Sequence, residues 1–578
     1  MSHIRTSVGT IWHRWCENAE KSPDSVAIVH WKAGETPRRW TWGELISTAE
    51  LYSVVLTNSG IEKGDVCAII AKHNSLIYPV YLGCVCAGAI PAILAYPNPR
   101  LHPEKFREGI EGMGRRSGLD WILTERAIEG VLQPLLGGSR STIRGLQFPF
   151  EWNACQEAAG ANVPRGAVHA MRDSDPLLLQ HSSGTTGLQK PVLLSHRAVL
   201  EHVTQYGNFL AVSQGDKVVS WLPLYHDMGL IAAFHLPMAL GITTIQIDPF
   251  EWVLTPSLLL QVISEERATI TWLPNFAFSM MADKIQEEDL EGVTLDSCRM
   301  VINCSEPVRY RDQEKFFTRF APRGFKREAL SSSYAMAETT FAVTQTPPGR
   351  EPTTLAVDPQ ALSRGMARPV TDRSAVKVCV SSGELIPGCR IRIADDEFND
   401  LEEGHVGEVL IKSSSMFDGY RNYPEKTAAA IRDGWYLSGD YGFRHGSEYY
   451  IIGRKKDVVI IAGNNIYPED VEAAMHDLDG VIPGRVVAFG EEDAEVGTER
   501  LSIVAETTLT DEPERRQLRM AIIKAGMGID VSITNVYLVP PRFLVKSSAG
   551  KLSRSANKER VLRLRDQFNM TIQSVELR

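Results

Sequence analysis

The stretch 181-HSSGTTGLQK-190 has the composition of an anion cradle. Gly184 and Gly187 let backbone N–H groups approach a ligand. Ser182, Ser183, Thr185 and Thr186 add hydroxyl donors, and Lys190 brings a cation. Phosphate is the group such a set suits. A Walker loop is excluded, because that motif needs four residues between its glycines and Lys-Ser/Thr directly after the second; here only Thr185 and Thr186 lie between them, and Pro191 follows Lys190. A plain surface turn has the same composition, so the loop alone leaves the question open. Other chemical pairings are weaker. His226–Asp227 has no Cys or His at zinc-ligand spacing, and Cys84 and Cys86 lack zinc or redox spacing. The run 112-GMGRRSG-118 imitates a dinucleotide fingerprint but follows no strand and is wrongly spaced.

The elements that must position these residues are legible in the apolar pattern. DVCAII, IPAILA, DWILT, KVVSWL, TTIQI, ATITWLP and RMVINC read as strands between helical stretches, one of them Met228 to Leu240, stopped by Gly241. That alternation predicts α/β layers with parallel strands. From about residue 376, VKVCVSSG, CRIRIAD, GEVLIK and SEYYIIG predict an antiparallel or barrel-like part. After Gly453 a last α/β block begins, in which Pro468 suits a first helical position and Val471, Met475 and Leu478 share a face. GRKKD at 453–457 marks the best boundary. The uncharged stretch between Lys72 and Arg100 is long enough to suggest a membrane span, but Pro79, Gly83, Gly88 and Pro91 interrupt it; a buried helix and strand fit better. A chain of 578 residues predicts two to four domains. The net charge of −10 argues against nucleic acid as a partner. Nine cysteines are too sparse for a disulfide scaffold, and no signal-peptide pattern opens the chain, so the expectation is a cytoplasmic protein without a transmembrane segment.

Four further stretches, 334-YAMAE-338, 438-SGD-440, 453-GRKKD-457 and 546-KSSAGK-551, follow the glycine loop in order. Together the five resemble the signature of the adenylate-forming superfamily, which includes acyl-CoA synthetases, peptide-synthetase adenylation domains and luciferases. The likeness runs from about Trp40 to Ala556. It implies an α/β fold: an N-terminal adenylation domain (1–455) of two α/β subdomains plus a small distorted β-barrel, then a small mobile α+β lid (456–578) hinged at Lys456. It implies ATP and Mg²⁺ as cofactors. Ser183, Gly184, Thr185, Thr186, Gly187 and Lys190 would hold phosphates. Ser305, Glu306, Pro307, Tyr334 and Ala335 would line the nucleotide site, with Tyr334 stacked on adenine. Asp440 and Arg454 would take the ribose, Glu338 and Thr186 would ligate the metal, and Lys551 would bridge the attacking carboxylate and the α-phosphate. Lid rotation would withdraw Lys551 and bring the loop around Gly463 to the site. Gln189, Pro191 and Ala549 depart from the usual residues, and Pro191 removes a backbone donor.

Within the superfamily, 221-WLPLYHDMGLI-231, 272-WLPNFAF-278, 303-NCSEPVR-309, FAPRGFKREAL and GKLSRSANKERV look like fatty acyl-AMP ligases. So does the long link of about forty residues between Glu338 and VSSGELIPG, which implies a branch-specific insertion at about 345–380 that opposes use of CoA. The implied reaction is activation of a fatty acid to acyl-AMP, then transfer to the phosphopantetheine of a separate acyl carrier protein or a polyketide or nonribosomal peptide synthase loading module. His226 would act beside the reacting carboxylate. Trp221, Phe234, Trp272, Phe276 and Phe278 are aromatic candidates for the acyl pocket, with simple core packing as the competing reading for each. Arg542, Lys546, Arg554, Lys558, Arg560, Arg563 and Arg565 would form a basic face for an acidic carrier, or a solvated helix. The alternatives are an acyl-CoA synthetase, an inert nucleotide-binding protein and a luciferase-like oxidase.

Overall fold

The computed structural model describes residues 9–97, 102–137, 141–159, 171–181, 190–371, 376–461, 464–493, 498–546 and 551–567. All seven expected early strands form. Five of the strands in a nine-stranded sheet carry the site. They run, in spatial order, Leu330–Ala335, Met300–Asn303, Ile270–Leu273, Lys217–Ser220 and Thr243–Ile247, and neighbours are parallel. Their near-continuous apolar character follows from burial on both faces. A second parallel sheet orders Ile90–Ile93, Val66–Ile70, Trp121–Thr124 and Gly145–Gln147. The uncharged stretch after Lys72 supplies the buried helix Ile77–Cys86 and the buried strand Ile90–Ile93. Among the described residues no helix is long and apolar enough to cross a membrane. The run GMGRRSG lies largely within the helix Pro103–Ser117.

Met228 to Leu240 is helical, but its first part, Met228–His235, has π-helical hydrogen bonding; only Leu236–Leu240 is α-helical, ending at Gly241 with φ 72°. Such π segments collect near functional sites, where they re-aim side chains. The later strands Cys389–Ala394, Gly407–Ser413, Trp435–His445 and Glu448–Arg454 pair antiparallel. In the last block Val486–Asp493, Thr498–Glu506 and Ile533–Val539 form a sheet. The helix Pro468–Ala474 packs there, with Val471 and Met475 fully buried. The nine cysteines are all free thiols.

Candidate active site

The C-terminal ends of the parallel strands bring the chemistry together, which is where open α/β sheets bind ligands. Leu330–Ala335 leads into Glu338, Met300–Asn303 into Ser305, Ile270–Leu273 into Phe276, and Lys217–Ser220 into Trp221 and His226. A carboxamide network aligns two of these exits. Asn303 Nδ2 donates to Asn275 Oδ1 (3.0 Å), which also accepts from the Arg309 N–H (3.0 Å). The Phe276 N–H donates to Glu306 Oε2 (3.0 Å), so Glu306 caps the helix Asn275–Lys284. Pro307 lies in the same turn.

Ser305 sits at φ 70° and Thr340 at φ 69°. Left-handed backbone is costly for residues other than glycine, most of all for a β-branched one, and such strain persists where surrounding contacts enforce it. Here the Thr340 hydroxyl donates to the Ser415 carbonyl (2.7 Å). The Ser305 carbonyl accepts a hydrogen bond from Lys551 Nζ. His226 Nδ1 contacts Asp227 Oδ1 (2.8 Å), and the Met228 N–H donates to the same oxygen (2.8 Å). Burial pushes the Asp227 carboxyl up, but His226, the Met228 N–H and Lys551 together hold it below the ordinary value. Lys551, His226–Asp227 and Ser305 therefore form one charged corner. Burial raises the neighbouring Cys304 thiol to about 12, so it is no nucleophile at neutral pH.

A second cluster gathers around Asp440. Asp440 and Arg454 are paired across two strands, with Arg454 Nε 2.8 Å from Asp440 Oδ1. The buried Tyr334 hydroxyl donates to Asp440 Oδ2 (2.5 Å), and Ala335 follows it on the strand. Burial raises the Asp440 carboxyl from its ordinary value against the pull of Arg454 and Tyr334. A buried carboxylate beside an arginine fork is fit to accept from a polyol. Glu338 is 7% exposed, and its Oε1 accepts from the Tyr420 hydroxyl (2.7 Å). Lys190 Nζ donates to the same hydroxyl (3.1 Å). Among the described residues no three His, Cys, Asp or Glu side chains form a metal cage. A lone buried carboxylate fits Mg²⁺ that arrives with phosphate oxygens to complete its shell, rather than a dedicated protein site.

The model for "AMP-binding enzyme" matches residues 15–421. The chain belongs to this adenylate-forming family. It is 30% identical over 576 residues to "Probable long-chain-fatty-acid--AMP ligase FadD30" of Mycobacterium tuberculosis, covering 93% of this chain and 96% of that protein. It is also 30% identical over 538 residues to "Putative acyl-CoA synthetase" of Caulobacter vibrioides, covering 91% of each. A structure from a study of fatty acyl-adenylate ligases of E. coli and L. pneumophila superposes with a TM-score of 0.87 at 24% identity, over 97% of this chain and 99% of that one; it shows the fold.

Placed in the family's fold, the remaining expected residues divide. Ser183, Gly184, Thr185, Thr186, Gly187 and Gly463 lie outside the described residues, as do Gln189 and Ala549. Of the five aromatics, Trp221 stacks on Trp252 (3.6 Å between ring centroids), and Phe276, 42% exposed, meets both rings edge-on. Trp221 and Phe276 follow the ends of the strands Lys217–Ser220 and Ile270–Leu273, and the Phe276 N–H is tied to Glu306. Trp272 is fully buried and donates its indole N–H to the Tyr206 hydroxyl (3.1 Å); Phe278 packs on Phe316 (5.0 Å), and Phe234 on Tyr78 (6.1 Å). For these last three, core packing accounts for the contacts.

Four of the seven residues of the expected basic face have partners within the chain. Arg554 pairs with Asp457 (2.7 Å), Glu472 (2.9 Å) and Glu469 (3.2 Å). Arg565 pairs with Glu491 (2.6 Å), Arg563 with Glu559, and Arg560 lies over the Phe543 ring (4.3 Å). Lys456 lies in the turn Lys455–Asp457, whose Lys455 is held by Asp396 (2.7 Å) and Glu408 (2.9 Å).

The link after Glu338 forms a hairpin, Thr354–Val357 with Lys377–Val380, and a short helix, Pro359–Ser363. Its Val357, Leu362, Ala367 and Cys379 share a core with Phe443, Tyr450, Ile452 and Tyr467. Lys377 Nζ donates to Asp470 Oδ2 (2.5 Å) on the helix Pro468–Ala474. Sequence reasoning missed Tyr420, Tyr436 and Trp252. An aromatic beside a glycine or an acid, as in DGYR, DGWY and FEWV, carries only the ordinary signal of a turn or core residue.

Proposed function

We propose that this chain activates a fatty acid as acyl-AMP and passes the acyl group to the phosphopantetheine thiol of a holo acyl carrier protein. In the first step a carboxylate oxygen of the acid bonds the α-phosphorus of ATP. The bond from that phosphorus to the bridging oxygen breaks, and pyrophosphate leaves with the electron pair. In the second step the thiol sulfur bonds the acyl carbon, the C–O bond to AMP breaks, and the thiol proton passes to solvent. The observation that carries the reading is Lys551 seated on the Ser305 carbonyl and acting on Asp227, in a chain that also holds the Asp440–Arg454 pair and the buried Glu338.

Lys551 offsets the repulsion between two anions and stabilises charge on the α-phosphoryl oxygens. Asp440, Arg454 and Tyr334 orient the nucleoside, and Lys190 with the glycine loop takes the phosphates. Trp221 and Phe276 give the acyl chain an apolar wall. Mg²⁺, held by Glu338 with Thr186, would neutralise phosphate charge and ease departure of pyrophosphate. The reading takes 1–455 as the adenylation domain and 456–578 as a lid turning about Lys456, with about 345–380 as a brake on that turn.

The acceptor is argued from Lys377. Its pairing with Asp470, and the core shared between the insertion and Tyr467, oppose the lid rotation that CoA would require, which favours a carrier protein over an acyl-CoA synthetase. The test is mass spectrometry of reactions with ATP, Mg²⁺ and a panel of fatty acids, run without acceptor, with CoA, or with a holo acyl carrier protein. Acyl-AMP that accumulates, ignores CoA and is consumed by the carrier is expected. Rapid acyl-CoA formation would overturn the acceptor assignment, and absence of any acyl-AMP would overturn the whole.

A further inference from the structure

Tyr420 lies between two groups that must act together and are far apart in sequence. Its short strand, Gly419–Tyr420, pairs antiparallel with Pro191–Ser195, the strand entered directly from Lys190. The Arg421 N–H donates to the Pro191 carbonyl and the Asp418 N–H to the Leu193 carbonyl (2.9 Å each). On its other flank the Phe417 N–H donates to the Glu338 carbonyl (2.9 Å). Five residues of backbone thus lace the lysine strand to the Glu338 turn. The Tyr420 side chain, 3% exposed, repeats the link: its hydroxyl accepts from Lys190 Nζ (3.1 Å) and donates to Glu338 Oε1 (2.7 Å). The Tyr436 hydroxyl closes on it at 3.3 Å, and Phe417 packs edge-on against its ring (4.9 Å).

We propose that Tyr420 is a positioning residue that couples Lys190 to Glu338, so that the phosphate-holding cation and the metal-holding carboxylate are set as one unit. The proposal rests on the adenylation reading above. A hydroxyl between an ammonium and a carboxylate makes two charge-assisted bonds that polarise each other. It also keeps the two charges from collapsing into a direct ion pair, which would withdraw both from the nucleotide. The hydroxyl fixes one carboxylate oxygen and thereby the plane of the other.

Tyr420→Phe removes only the hydroxyl and keeps the ring against Phe417. The direct measurement is binding of Mn²⁺·ATP, followed by the manganese EPR signal, with no fatty acid present. Affinity is expected to fall about tenfold, as for loss of one hydrogen bond to a charged group. The free Mg²⁺ needed for half-maximal ATP–pyrophosphate exchange should rise with it, while KM for the fatty acid stays within twofold. The Tyr436 hydroxyl also touches Glu338 and Tyr420 but not Lys190, so Tyr436→Phe should raise the Mg²⁺ requirement clearly less than Tyr420→Phe. Equal effects of the two substitutions, or Mn²⁺·ATP affinity within twofold after Tyr420→Phe, would overturn the proposal. Should Tyr420→Phe fail to fold, Lys190→Met probes the same link from its lysine end: at saturating ATP its Mg²⁺ requirement must rise, and an unchanged requirement overturns the coupling. If the unsubstituted protein binds Mn²⁺·ATP but exchanges no pyrophosphate with any acid, the adenylation reading fails while the binding arm still judges Tyr420.

Discussion

Lys551→Ala is the most informative single change. Lys551 is partly exposed, so the substitution should leave stability within about 0.5 kcal/mol. What it removes is the cation that reaches the Ser305 carbonyl and helps hold the Asp227 carboxyl down. Asp440, Arg454 and Tyr334, the residues proposed to hold the nucleoside, lie on other strands and stay intact, so ATP should bind nearly as before. The loss falls on the transition state, where charge gathers on the α-phosphoryl oxygens. One preorganised donor there is worth roughly 2.7–4 kcal/mol, or a factor of about 10²–10³ in rate. The assay is ATP–pyrophosphate exchange with a saturating fatty acid, with acyl-AMP measured by mass spectrometry. Transfer from preformed acyl-AMP to a holo carrier is the second readout and should be less affected. Adenylation within about threefold of the unsubstituted rate would refute the assignment, because the cation seated on the Ser305 carbonyl would then carry none of the transition-state charge.

Further outcomes follow from the lid and the aromatic wall. Arg554→Ala strands three carboxylates and should destabilise the C-terminal block by about 3–5 kcal/mol, read as a lower thermal transition; an unchanged transition would contradict the clamp. Burial pushes the Glu469 carboxyl up to about 7, with Arg554 opposing and Glu472 adding to the rise. The folded chain therefore binds a proton that the unfolded chain releases nearer 4.5; this contribution is full below that pH and is lost as pH rises through 7. Melting temperature should fall over that window and fall less in Glu469→Gln; equal slopes would refute the assignment. Phe276→Ala should raise KM for the fatty acid several-fold at near-constant melting temperature, whereas Phe278→Ala should cost about 3–5 kcal/mol of stability; reversed outcomes would exchange their roles. Arg560→Glu with Arg563→Glu should slow carrier acylation at low salt only modestly, since both guanidiniums already have local contacts; an unchanged rate would dismiss steering by this helix.

The sequence by itself determined the strands and their parallel arrangement, because buried parallel strands need uninterrupted apolar runs such as DVCAII and RMVINC. It also determined the family, since five motifs of charged and glycine-rich residues keep their order whatever the packing. It named Lys551, Glu338, Asp440 and Arg454 before any fold was known. What it could not determine was partnership between distant residues. Tyr420 meets Glu338 across 82 positions and Lys551 meets Ser305 across 246, and periodicity reports only neighbours along one element. The division of the aromatics was equally hidden. Phe276 and Phe278 are two residues apart on one helix and face opposite surroundings, one half-open and one against Phe316. The engagement of Arg554 with three acids turned an apparent surface cation into the clamp of the Lys456 turn. Each of these was decided by which strand end lies beside which, a property of sheet order that hydrophobic patterning leaves open.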